Sequence, residues 1–173
     1  MIGNWELNGL STAEQHYALA DAYAEAAYFL ACGLSDGSYP KTFSHAKVIL
    51  SLHHHSVELF FKYALKRANK PLPTNHYLRD LQKLYTATYP DTKYCFQSSF
   101  VSELSGLPEK DIAEVLNAEK KEKNKMDQSL RYHTDRKDKP WPMIQGIIPE
   151  YYPEEIAELR DKFHQLHSII EQV

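Results

Sequence analysis

Between Thr42 and Asn69 apolar residues recur at helical spacing on two adjacent faces, and no other stretch limits the fold as strongly. One face carries Ala46, Ile49, Leu50, His53, Val57, Phe60 and Ala64; the second carries Leu52, Ser56, Leu59 and Tyr63. A helix that is apolar on two sides must be covered on both, which predicts a long central helix within a bundle. On this pattern His53 is a packed core imidazole, and the remaining face holds His54, Glu58 and Lys62.

The flanking segments fit the same class. Ser11-Thr12-Ala13-Glu14 reads as a capping box, in which the Ser11 hydroxyl and the Glu14 carboxylate satisfy each other's free backbone amides. The helix that follows carries Tyr17, Ala20, Ala24, Ala27 and Ala31, whose small side chains allow a close neighbour, and Gly33 is its expected stop. Pro71 and Pro73 end the second segment, and Asn75 is the expected cap of a short helix bearing Leu78, Leu81 and Leu84 up to Tyr89-Pro90. Further helices are expected over about 96–104, over about 109–125 after Pro108, and from Pro153-Glu154-Glu155 onward, the last with Ile156, Leu159, Phe163, Leu166 and Ile170 on one stripe. From Met126 to Pro149 periodicity is lost and prolines accumulate, as in an irregular loop. No strand-like alternation occurs. The reading is one all-α domain over residues 1–173, a bundle of five to six helices.

Composition excludes several functions. The formal charge of −3 gives no global field toward nucleic acid or an anionic membrane, so such binding must be local. Cys32 and Cys95 stand in no metal or redox spacing, and no stretch approaches the roughly 20 apolar residues of a membrane span, which points to a cytoplasmic protein. Three adjacent histidines, His53 to His55, diverge by about 100° each on a helix and cannot close on one ion, so no metal or other cofactor is expected. Phosphate-cradling glycine loops and nucleophile elbows are absent from the sequence.

The order of residues from His55 to Leu65, with Glu58-Leu59-Phe60-Phe61-Lys62 at its centre, resembles the Glu-Leu-x-x-Lys helix of HEPN-like proteins. His76 and Leu78 are similar to that family's following helix start, from which Asn75 and Tyr77 depart, and Leu130-Arg131-Tyr132 looks like its Arg-Tyr segment. The resemblance covers roughly residues 42 to 140. It implies a helical bundle, homodimers, and links to RNA cleavage, nucleotide binding or defence and toxin-antitoxin systems, including a nucleotidyltransferase-like partner protein. Catalytic members pair an Arg with a His four to six residues on, across a dimer, to cut RNA.

The one Arg-x6-His spacing here is Arg160 to His167, with His164 on the same helical face. A His near neutral pH can serve as acid or base while an Arg stabilises phosphorane-like charge, so a metal-independent ribonuclease is one reading. The other is a solvated polar face. Residues 119–139 carry eight Lys/Arg against five Asp/Glu, and Arg131, Tyr132, His133 and Arg136 there combine cations with an aromatic, which suits phosphate and base contacts. A solvated surface is the alternative, and Arg131 could instead brace the loop against Glu58 or carbonyls. Glu58 and Lys62 form an i,i+4 pair worth about 0.3 kcal/mol if exposed. If buried, they form with His54 and His76 a polar centre that points to a ligand site. The leading expectation is a divergent, non-catalytic HEPN-like domain that dimerises and binds a nucleotide, an RNA segment or a partner protein through the Arg131 loop and the face of the second helix. A purely structural interaction module is a further alternative.

Overall fold

The computed structural model describes residues 4–122, 130 and 149–172. Among them every regular element is helical: α1 (Thr12–Asp36), α2 (Phe43–Arg67), α3 (Leu78–Thr88), α4 (Glu109–Glu122) and α5 (Tyr152–Ile170). Short 3-10 turns lie at Asn4–Leu7, Thr92–Tyr94 and Pro149–Tyr151. The stretch expected as a loop, Met126 to Pro149, falls outside the described residues apart from Leu130, which is helical and buried and so departs from that expectation, and Pro149.

The capping box forms as the sequence predicts, with Ser11 N donating to Glu14 Oε2 at 2.7 Å and Glu14 N donating to Ser11 Oγ at 3.2 Å. α1 does not stop at Gly33. It runs to Asp36, and the left-handed residue that ends it is Gly37 (φ 86°). Gly33 has another role: a Cβ there would lie 2.2 Å from the Tyr39 ring, which folds back over the helix end and would have to move. α1 and α2 are equal in length at 25 residues, so α2 is not the single longest helix.

Ala20, Ala24, Ala27 and Ala31 are completely buried, and their small side chains let α1 pack closely along α2. Tyr17 meets Tyr63 and Tyr23 meets His55, so the two helices run antiparallel. α2 ends in a Schellman motif: Lys70 N bonds Leu65 O at 2.9 Å, Asn69 N bonds Lys66 O at 3.0 Å, and Asn69 takes φ 53°.

α5 packs on both α1 and α2 and runs parallel to α2, with Phe163 stacked on Phe60 at a centroid distance of 4.2 Å. Phe61, Tyr85, Tyr89 and Phe96 extend this aromatic layer under α3. Burying each such ring stabilises the fold by about 2 kcal/mol.

The helix expected over 96–104 does not form. Gln82 Oε1 takes the Ser98 amide at 2.9 Å and Ser98 Oγ takes that of Phe100 at 3.2 Å, so side chains hold this stretch in a turn. Asn75 is likewise not the cap of α3. Its Oδ1 accepts from Tyr77 N and its Nδ2 donates to Asp80, both at 3.1 Å, bracing the turn one residue before the helix.

Candidate functional site

Glu58 decides where the site lies. Its side chain is fully buried at the middle of α2, between α1 and the turn that carries His76. A carboxylate removed from water is costly unless paired. Oε1 accepts from Lys62 Nζ at 2.5 Å and from His76 Nδ1 at 2.6 Å. Oε2 faces His55 Nδ1 at 3.6 Å, beyond a full hydrogen bond but close enough for attraction. Burial alone would raise the Glu58 pKa; the approach of His55, the bonds from Lys62 and His76 and the Lys62 charge outweigh it and hold the carboxyl well below the usual range.

The partners lie progressively nearer to solvent, with side-chain exposures of 15% for Lys62, 28% for His55 and 60% for His76. The Asn75 brace fixes the His76 backbone, and i,i+4 and i,i+3 spacings bring Lys62 and His55 over Glu58. His16 of α1 lies within electrostatic reach of Glu58, Lys62 and Lys66; burial pushes its pKa down, against its own 2.6 Å bond to Thr12 O. The result is a buried anion with a basic rim that opens outward. It can hold an incoming oxyanion, or steer a proton through imidazole.

Of the residues expected here, Glu58, Lys62 and His76 come together. His54 does not join them. It is buried, not on an outer face, and packs its ring edge-on to Phe100 together with His53. His55 takes its place, three residues before Glu58, and His16 arrives from a helix no local spacing connects to Glu58. The expected core place of His53 holds at 2% exposure, and burial pushes its pKa down to about 4.

Arg160 and His164 share the partner Asp21, whereas His167 has partners of its own. Arg160 bridges to Asp21 at 3.3 Å and Glu25 at 3.4 Å on α1, and His164 Nε2 meets Asp21 at 3.0 Å. This face is thus laid against α1 instead of being merely solvated. His167, about 10 Å further along the axis, stacks on Tyr17 at 3.7 Å and bonds Tyr63 Oη through Nδ1 at 2.7 Å. Tyr63 in turn donates to Glu171 at 3.1 Å, and Arg67 closes on Glu171 at 2.9 Å. Because Tyr63 donates to the carboxylate, His167 Nδ1 is the donor to Tyr63. Burial pushes the His167 pKa down, more than the Glu171 carboxylate pulls it up.

Arg131, Tyr132, His133 and Arg136 lie outside the described residues. Among the described residues no cluster of three or more His, Cys, Asp or Glu side chains is arranged to hold a metal, and no helix is long and apolar enough to cross a membrane. Comparison with protein-family models, curated proteins and solved structures finds no match to the chain.

Proposed function

We propose that the chain is a divergent HEPN-like domain that binds a phosphate-bearing ligand, a nucleotide or an RNA segment, on the α2 face around Glu58, Lys62 and His76, and does not cleave RNA through Arg160 and His167. The observation that carries this reading is the fully buried Glu58 carboxylate holding a lysine and a histidine at a solvent-facing rim. Such a group costs stability that apolar packing would not, and clusters of this kind concentrate at functional sites. The HEPN-like assignment draws support from the same place, since Glu58, Lys62 and His76, which carry the resemblance, meet at one point.

The absence of cleavage through Arg160 is supported by its ion pairs with Asp21 and Glu25, which occupy the guanidinium that a phosphorane would need. In this proposal Arg131, Tyr132, His133 and Arg136 extend the cationic surface toward the ligand, the domain acts in the cytoplasm as a homodimer, and a nucleotidyltransferase-like protein is its partner.

The test is titration of the purified chain with nucleotides and short RNA by calorimetry. Binding that weakens about tenfold or more in Lys62→Ala and His76→Ala supports the proposal, at roughly 1.4 kcal/mol per tenfold. Absence of binding by the wild type refutes it. RNA cleavage that persists in EDTA and is lost in His167→Ala would instead establish the ribonuclease, whose one favouring feature is the His167 tautomer fixed by Tyr63.

A further inference from the structure

The ring of His76 is held by one edge and exposed along the other. Its Nδ1 lies 2.6 Å from Glu58 Oε1, and an ionised carboxylate only accepts, so Nδ1 keeps its hydrogen in both charge states of the ring. Lys62 Nζ, 3.5 Å from the same Nδ1, is an ammonium and cannot accept; the two groups are neighbours because they share Oε1. Protonation therefore changes only Nε2, which offers a lone pair when the ring is neutral and an N–H when it is charged. The side chain is 60% exposed, and no described group bonds Nε2.

We infer that the ligand presents a phosphate oxyanion to His76 Nε2 and Lys62 Nζ, and that affinity rises as the pH falls because His76 turns from acceptor to donor. This deepens the binding site proposed above and rests on it. The other groups around the ring leave His76 as the outward-facing switch. Glu58 stays ionised, since its bonds hold it below the usual range. Lys62 donates to Glu58 Oε1, and the Asn75–Asp80 pair braces the turn that carries His76. Among the described residues, His55 on α2 and His16 on α1 are further imidazoles in reach, and both would add charge in the same direction on protonation. They are therefore controls.

The experiment is calorimetric titration of the full chain between pH 5.5 and 8. The probe is a deoxydinucleotide monophosphate, whose phosphodiester carries one charge throughout that range; deoxyadenosine is the uncharged comparison. We expect the dinucleotide to bind about tenfold more tightly at pH 5.5 than at pH 8, the scale of one charge-assisted hydrogen bond. Deoxyadenosine should show no such slope. His76→Gln should flatten the profile, whereas His16→Gln and His55→Gln should retain most of it. A slope that survives His76→Gln, or that disappears in His16→Gln or His55→Gln, overturns the inference while leaving the site intact. Binding with a flat profile in the wild type does the same. No binding at any pH overturns the inference and the binding site together. Independently of any ligand, imidazole nitrogen resonances should show neutral His76 as the Nδ1–H tautomer, and an Nε2–H tautomer would contradict the assignment.

Discussion

Two regions of this molecule combine the same chemical parts, a carboxylate with histidine and a cation, and use them differently. Around Glu58 the carboxylate is fully buried and its partners reach inward to it. Between α1 and α5 the carboxylates of Asp21 and Glu25 are 30% and 48% exposed, and Arg160 and His164 reach across the surface to them. Water screens the second set and cannot reach the Glu58 carboxylate itself. Burial therefore turns an ordinary helix pair, Glu58 with Lys62, into a fixed centre, while the more exposed arrangement remains an adjustable seam between helices.

The largest effect expected from this contrast is in Glu58→Ala, which removes the acceptor shared by Lys62 and His76 and leaves an unfilled space in the packing. It should cost about 3 kcal/mol in urea denaturation. A loss no greater than that of Asp21→Ala would break the comparison.

Acid should find the buried region next. The pKa of His53 falls from 6.5 to about 4 on folding, so below pH 6.5 the unfolded chain takes up a proton that the fold refuses. Stability should drop as the pH falls through 6.5 toward 4, by about 2 kcal/mol at pH 5, and His53→Phe should remove much of that slope. The Glu58 contribution has a separate window, lost only below the carboxylate's ordinary 4.5, because its folded pKa is lowered. Melting temperatures measured from pH 7 to pH 5 therefore report on the lowered histidines, His53 together with His16 and His167, and not on Glu58, and His53→Phe isolates the His53 share.

Tyr63→Phe should follow, at about 1 kcal/mol, since it removes hydroxyl bonds to His167 and Glu171 while keeping the ring. Arg160→Ala should cost least, under about 1 kcal/mol, and its effect should shrink further in 1 M salt. A large, salt-resistant loss at Arg160 would show that the α1–α5 seam is as dry as the Glu58 centre.

Much of the fold could be read from local pattern. The capping box, the alanine stripe, the two apolar faces of α2 and the stripe of α5 all rest on residues within a few turns of one another, which is the range over which periodicity carries information. Failures came where distant groups intervene. Gly33 looks like a helix stop until the Tyr39 ring occupies the place of its missing Cβ. The stretch after Phe96 looks helical until Gln82 takes the Ser98 amide. For the site, Glu58, Lys62 and His76 could be named from the sequence, but not the burial that gives them meaning. His55 stood in plain view at i,i+3 from Glu58 within a histidine run weighed for metal binding. His16 carried no signal at all, because only the pairing of α1 with α2 brings it near.

The link from Glu58 to His76 spans 18 residues, whereas that from Tyr63 to His167 spans 104. Short loops close at lower entropic cost and in less time. The rim of the site is thus encoded in one contiguous stretch, from α1 through the His76 turn, which leaves the ribosome ahead of α5, and α5 docks onto this assembly once it has emerged.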